Sequence, residues 1–358
     1  LRLSRDLQIA IAEYAPSSEI VADGRLYTSR YIRKSAIGTN KQDWYIGYIG
    51  KCENPSCDTI NYSVVPISRE GIACSSCGRK LQSMNFSASI EPRSGFVTER
   101  QDKEVPLTRQ EKNYRTEDIY IGDTNAKIIN KYNYKFNGIT VQVESTTNDS
   151  LMVKSTNTFY VCNQCGYAIA EDESTGDRNA DRDIKKGALR ISTTKAHESL
   201  FGKYDCRCHD LDRRSLHHVF KTDVAKLSFD CDTSDKQTMV STMYALLNAI
   251  SQELNIERRD IRACLSQKII FDHLHYSIII YDSVPGGAGH SRRLVTQDGH
   301  LLYRIFKAAK NNMEKCNCDP SCYSCLRSYE NQRIHDILSR KKAGEFLKGF
   351  IGPIEAVY

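Results

Sequence analysis

The chain has 358 residues, room for two or three domains and a sizeable buried core. Its 40% hydrophobic and 26% charged content, with a mean hydropathy of −0.50, describe an ordinary soluble protein; no run of about 18 apolar residues occurs, which excludes a membrane-spanning helix. Fifty Lys and Arg against 44 Asp and Glu leave a net charge of +6, compatible with nucleic acid but too mild to require it.

The chain opens on Leu1 rather than Met, as a fragment or a trimmed start would. Its first 30 residues hold Arg2, Arg5, Asp6, Glu13, Asp23 and Arg25 without an apolar block, so no signal peptide is expected and a cytoplasmic location is. Fourteen cysteines, about 4% of the chain, are too sparse for a small disulfide scaffold yet many for a chain with no export signal. In a reducing compartment, clustered thiols point to metal ligation.

Residues 1–35 begin with a short amphipathic stretch (Leu7, Ile9, Ile11), followed by turns at Pro16–Ser18 and Asp23–Gly24. Strand-like stretches at 25–33 and 43–50 lead into Cys52, Cys57, Cys74 and Cys77. The spacing is C-x4-C, sixteen residues, then C-x2-C-G, the arrangement of a zinc ribbon. A short spacer lets one turn present two thiolates to a tetrahedral ion, and Gly78 frees the backbone behind the second pair. Reduced surface thiols or a disulfide pair are the alternatives. Residues 84–161 alternate Thr, Tyr, Val and Ile, as at Ile139, Val141 and Val143, and read as strands. Cys162 and Cys165 form a second knuckle before Gly166. Its partners stay open: Cys206 with Cys208, or His197 with Cys206, and spacing alone favours the cysteines. The polar stretch 171–187 reads as an exposed loop or disordered insert.

The last third changes character. Met239, Val240, Met243, Leu246, Leu247, Ile250 and Leu254 recur at a helical period and predict a helix over 236–254. Tyr276–Tyr281 is an apolar strand, expected to be buried on both faces. Pro285-Gly286-Gly287-Ala288-Gly289-His290 then turns into an expected helix carrying Arg292 and Arg293. Free N–H groups there could hold a phosphate, with the arginines closing on it. A tight packing turn in which Asp282 caps an amide is the favoured reading. Helices at 301–314 and 333–350 flank Cys316, Cys318, Cys322 and Cys325, spaced C-x-C-x3-C-x2-C. Four ligands in ten residues require a tight loop, which Pro320 helps to fix. Zinc is preferred to disulfides or an iron–sulfur cluster, because a redox role would need companions that are not visible.

No G-x-x-x-x-G-K-[ST], G-x-S-x-G, H-E-x-x-H or nuclease-like carboxylate pair occurs, so no ATPase or nuclease activity is expected of these residues.

The run Ile278-Ile279-Ile280-Tyr281-Asp282-Ser283-Val284-Pro285-Gly286-Gly287-Ala288-Gly289-His290 resembles a signature of the C-terminal zinc-binding domain (MZB) of MrfA-type DEAD/DEAH-box helicases. Ser321-Cys322-Tyr323-Ser324-Cys325-Leu326-Arg327-Ser328-Tyr329-Glu330-Asn331-Gln332 resembles its second signature, and Ile256–Ile261 and Phe220–Val224 are also similar. The likeness is specific over about 216–346, while Glu13–Pro16 and Val21–Gly24 resemble the segment following the two motor domains of such helicases. The resemblance implies that Cys316, Cys318, Cys322 and Cys325 bind zinc. It also favours His197 over Cys208 beside Cys162, Cys165 and Cys206, although the extra Cys208 departs from the family pattern. Such domains accompany ATP-dependent helicases in DNA repair and in phage-defence systems such as DISARM and Druantia.

The expected fold is α+β, with a β-rich N-terminal part carrying a zinc ribbon and a mixed α/β C-terminal zinc-binding domain. The expected units are 1–100 with the ribbon at 52–77, 101–215 with the second zinc site, and 216–358. The expected role is a Zn2+-binding accessory region without a motor of its own, which positions DNA or docks a partner for helicase motor domains in cis or in trans. Neither a membrane nor a small-molecule substrate is expected as a partner. DNA binding should be weak and sequence-independent, with Arg258, Arg259, Arg292, Arg293, Arg327, Arg333 and Lys341 as candidate phosphate contacts. The rival is a zinc-stabilised protein-interaction scaffold that does not touch DNA.

Overall fold

The computed structural model describes residues 3–37, 41–57, 59–99, 102–105, 114–123, 125–200, 205–352 and 354–357. Its backbone is organised by one long strand, Asp210–Phe229, held in place by the burial of Leu211, Leu216, Phe220, Val224, Leu227 and Phe229 along it. Among the described residues this strand belongs to a 13-stranded sheet. The path runs Ile354–Val357, Lys127–Phe136, Ile139–Ser155, Asp210–Phe229, Phe86–Glu91, Tyr45–Lys51, Ile60–Ser63. Neighbours are antiparallel except Phe86–Glu91, which lies parallel to the long strand at Ser215 and Leu216. The long strand crosses the expected 215/216 boundary without a break. The class is α+β, as expected.

The C-terminal half of that strand meets the hairpin Ile261–Ile270 and His273–Asp282, with Val224–Leu227 paired to Ile278–Tyr281. Ile278 and Ile280 face one apolar cluster, Ile279 and Tyr281 another, so this strand is buried on both faces. Three helices cover the first face: α3 (Lys236–Leu254), α4 (His300–Lys315) and α5 (Arg340–Lys348). Asp235 starts α3 by accepting the Gln237 N–H at 3.1 Å, and Asn255 ends it in the left-handed conformation, which Asn tolerates. All seven residues that defined the helical period are buried. The expected helix 333–350 is instead a 3-10 segment, Gln332–Ile337, followed by α5. Ser339 divides the two, its hydroxyl accepting the Lys342 N–H at 3.3 Å.

In the N-terminal half, α1 (Leu7–Glu13) places Leu7 and Ile11, four residues apart, against Trp44 and Phe159, while Ile9 faces solvent. The stretch 171–187 is not a disordered insert. It contains α2 (Arg178–Lys185), capped by the Asp177 carboxylate, which accepts N–H groups from Asn179, Ala180 and Thr194. Ala180 and Ile184, at i and i+4, are buried, and two apolar anchors hold a helix whose composition is otherwise polar. Among the described residues, no helix is long and apolar enough to cross a membrane.

A buried polar knot joins Phe86–Glu91 to the long strand. His217 Nδ1 lies 3.0 Å from Ser89 Oγ, and His218 Nδ1 lies 2.8 Å from the Glu91 carboxylate, which also accepts Arg93 Nε at 2.6 Å. Burial pushes His217 down to about 4. Burial alone would raise Glu91, but the His218 and Arg93 hydrogen bonds hold it below the usual carboxylate range. Both groups act in the same direction. Unfolding takes up a proton at His217 between its free value of about 6.5 and its folded value, and stability therefore falls across that window as pH drops. The Glu91 contribution is present above the carboxylate range and is lost through it. We expect acidification from pH 7 to 4 to cost about 3 kcal/mol through His217 alone. Melting temperature against pH should be flatter for His217→Gln over that window, and parallel curves would refute the assignment.

Candidate metal centres

The first cysteine group sits at the end of the strand Tyr45–Lys51. Two turns face each other: Cys57 donates its N–H to Asn54 at 2.8 Å, and Gly78 donates to the Cys74 carbonyl at 2.9 Å. Gly78 has φ +72°, the positive value for which glycine was expected there. The Cys52–Cys77 and Cys57–Cys74 sulfur separations are 3.6 and 3.7 Å. Tetrahedral Zn–S bonds of about 2.3 Å put sulfurs about 3.8 Å apart, whereas a disulfide needs about 2.05 Å. Burial would raise the Cys57 thiol, but hydrogen bonds from the Thr59 hydroxyl and N–H outweigh it and bring the thiol to about 7, closer to its ligating thiolate form. The ribbon packs through Leu81 and Phe86 and receives Ile269 from the 261–282 hairpin.

The second group is assembled from distant segments. Cys162 ends the strand Phe159–Val161, and Cys165 follows in a turn closed by Gly166 N–H to the Cys162 carbonyl at 3.0 Å. Gly166 has φ +82°, and a β-carbon there would collide with the Ile32 carbonyl oxygen. Cys206 donates its N–H to the His197 carbonyl at 2.8 Å, which brings both residues to the knuckle. Cys162 and Cys206 sulfurs are 3.9 Å apart, and Cys165 Sγ lies 3.2 Å from His197 Nε2. The His197 ring stacks on Tyr167 with centroids 4.4 Å apart, and this orients it. Cys162, Cys165, His197 and Cys206 thus form the group. Cys208, which spacing favoured, lies outside it, with its sulfur directed to the Asp210 carbonyl at 3.4 Å. A single intervening residue would let one chain segment supply two ligands, but the strand beginning at Asp210 draws Cys208 away.

The third group follows α4 directly. Cys316–Cys322 and Cys318–Cys325 sulfurs are both 3.5 Å apart. The Cys322 carbonyl accepts the N–H groups of Cys325 and Leu326 at 3.1 Å each, forming the expected tight loop. Three helices hold this loop. Cys325 and Leu326 lie in the core beneath α3 and α4, Asn248 of α3 donates to the Cys325 carbonyl at 2.8 Å, and Arg340 of α5 donates to the Cys318 and Met313 carbonyls at 3.0 and 2.8 Å. Asn248 and Arg340 position the loop although neither belongs to a cysteine motif. Asn248 could not be singled out from a sequence in which it is one polar position of a helix.

In each group the four ligand atoms lie within 4.8 Å of one another, and all the cysteines are free thiols. Three such sets of soft donors suit a closed tetrahedral zinc site.

The glycine-rich turn is structural. The buried Asp282 carboxylate accepts N–H groups from Ala288, His290 and Ser291 at 2.6, 3.0 and 2.7 Å, which occupies the amides that a phosphate would use. The helix expected after it is a 3-10 turn, Ser291–Leu294, and Arg292 pairs with the buried Asp223 at 3.0 Å. Other candidate DNA contacts are also engaged within the protein. Arg258 donates to Asn248 and to the Ile261 carbonyl at 3.2 and 2.9 Å, and Arg327 to Ser321 at 3.0 Å. Arg259 pairs with Glu257, and Lys341 with Asp319 at 3.2 Å, all at the surface. Arg293 and Arg333 are exposed, and among the described residues neither has an ion-pair partner.

Residues 242–326 match the family model described as the MrfA Zn-binding domain. Over 374 aligned residues the chain is 24% identical to the Druantia protein DruE of Escherichia coli (strain UMEA 4076-1), covering 95% of this chain and 19% of that protein. The chain therefore spans about a fifth of the length of this curated relative. Among solved structures, the DUF1998 helicase MrfA bound to DNA aligns with a TM-score of 0.38 at 11% identity, covering 96% of this chain and 31% of that one. MrfA bound to DNA and AMPPNP aligns with a TM-score of 0.32 at 12% identity, covering 96% and 28%. The chain thus carries an MrfA Zn-binding domain over residues 242–326, with the third cysteine group at its C-terminal end.

Proposed function

We propose that this chain is a zinc-stabilised accessory region that positions DNA for a helicase motor, supplied in cis or in trans, in DNA repair or phage defence. The observation that carries the proposal is the domain match at 242–326, which ends on the four-cysteine loop. Cys52, Cys57, Cys74 and Cys77 hold one zinc; Cys162, Cys165, His197 and Cys206 a second; Cys316, Cys318, Cys322 and Cys325 a third. Each ion, when bound, cross-links chain segments and leaves no open coordination position for catalysis. The DNA contacts begin with Arg293 and Arg333, whose charges are free to meet phosphate. Arg259 and Lys341 can exchange an exposed acidic partner for a phosphate at little cost. Arg258, Arg292 and Arg327 serve the fold instead.

Binding through a few phosphates is weak, sequence-independent and salt-sensitive. Reversing both charges with Arg293→Glu and Arg333→Glu is expected to weaken duplex binding and make the salt slope shallower by about two units. Arg258→Gln should lower the melting temperature without that change in slope. Anisotropy titrations at several salt concentrations, beside melting curves, make the comparison. An unchanged slope in the double variant places the contacts elsewhere. A parent chain with no DNA affinity defeats the proposal in favour of the protein-interaction scaffold.

A further inference from the structure

The hairpin Ile261–Ile270 and His273–Asp282 closes through only two residues, Phe271 and Asp272, since Ile270 pairs directly with His273. A two-residue loop of this kind needs positive φ at both positions, and they stand at +48° and +62°. Asn, Asp and Gly adopt that conformation at little cost; a bulky aromatic does not. Phe271 is nonetheless 93% exposed at the tip, so no packing within the protein compensates its backbone conformation. The residue beside it, Ile270, lines a groove of about 820 Å3 that continues along the hairpin to the 3-10 segment at Arg333. Lys226, Lys236, Lys268 and Arg333 line this groove, and among the described residues none of the four has an ion-pair partner. The acids in its wall are neutralised within the protein, Glu117 by Lys154 at 3.2 Å and Asp118 by Arg262 at 2.7 Å. Tyr120 and Tyr244, both partly exposed, add aromatic surface to the groove.

Uncompensated cations along a groove, interleaved with aromatic faces, are what single-stranded nucleic acid requires: charge tracks the backbone and rings stack on bases. We infer that this groove is the path of a single DNA strand and that Phe271 is the stacking residue at its end. The inference rests on the DNA-positioning reading above and gives it a path for one strand and a tip. Phe271 acts as an apolar wedge of the kind that inserts against a base step, and its unfavourable backbone conformation is retained for that contact.

The test uses the 358-residue chain and a short 5′-fluorescein oligothymidylate. Phe271→Asn supplies a residue that suits the turn, so its melting temperature should equal or exceed that of the parent while its affinity for the oligonucleotide falls by about fivefold or more. Phe271→Trp should keep the affinity, and the indole emission should change when oligothymidylate is added. Lys226→Glu with Lys268→Glu should make the salt slope shallower by about one and a half units. Wild-type affinity in Phe271→Asn, or an indole insensitive to saturating oligonucleotide, overturns the inference and leaves the tip to a protein partner. If Arg293→Glu weakens duplex binding while Phe271→Asn changes nothing, the wedge fails and the DNA-positioning reading stands. If the parent binds neither duplex nor oligothymidylate, both fail.

Discussion

Replacing Cys322 with Ser is expected to release one of three zinc ions and to unfold the α3–α5 layer. The third cysteine loop lies between α4 and α5 and is hydrogen-bonded to α3, so its geometry sets how the three helices meet. Cys325 and Leu326, from the same loop, contribute buried surface to the largest apolar cluster. A structural zinc site contributes on the order of 10 kcal/mol to folding, and a hydroxyl in place of one thiolate forfeits a large part of it. That loss is comparable to the whole stability of a typical domain, about 5–15 kcal/mol. Elemental analysis should give three zinc per chain for the parent and two for Cys322→Ser, with amide-exchange protection lost across α3, α4 and α5. Cys208→Ser and Cys264→Ser are the controls. Both cysteines lie outside the three groups, so both variants should retain three zinc. A Cys322→Ser protein with full zinc and an unchanged melting curve would remove the third site from the scheme.

Much of this site was legible because ligand spacing is local chemistry. Four cysteines within ten residues, or two knuckles separated by sixteen, constrain one another whatever surrounds them. The buried strand at 276–281 and the α3 period were legible for a similar reason, since burial on one or both faces writes itself into the apolar pattern. The second group was harder. Its members lie 40 residues apart, and the choice between His197 and Cys208 depends on Tyr167 stacking and on where the long strand begins. Neither is visible in spacing. The α2 segment was misread because two buried residues in an otherwise charged stretch give too weak a periodic signal, and only the Asp177 cap marks its start. Charge was the least legible property. Arg258, Arg292 and Arg327 are indistinguishable in sequence from Arg293 and Arg333, yet folding gives the first three partners, Asn248 and Ser321 from nearby turns and helices and Asp223 from the distant long strand. The hairpin tip left a faint signal: Phe271-Asp272 separates two runs of strand-forming residues by the length of a two-residue turn.

Asp282→Ala is expected to be the most damaging substitution outside the metal groups, at about 4 kcal/mol. The carboxylate is fully buried, and both oxygens are used, one by Ala288 and His290 and the other by Ser291. Removing it strands the buried Ser291 N–H and the part-buried N–H groups of Ala288 and His290, and each donor left unsatisfied costs about 1–3 kcal/mol. The turn cannot relax easily to hydrate them. Gly287 is pressed against the Asp223 side chain, and the Thr222 hydroxyl ties the Asp282 carbonyl to the long strand at 2.9 Å. Asp282→Asn keeps one acceptor oxygen and should lose roughly half as much, because its amide nitrogen then faces N–H donors. The alternative use of this turn, as a phosphate cradle, makes the opposite prediction. There the carboxylate is an obstacle to the anion, and Asp282→Ala would leave the fold intact and increase affinity for inorganic phosphate. Urea unfolding midpoints, measured with and without phosphate, separate the two. A lowered midpoint insensitive to phosphate establishes Asp282 as the internal anion of this turn, whereas an unchanged midpoint that rises with phosphate establishes the cradle.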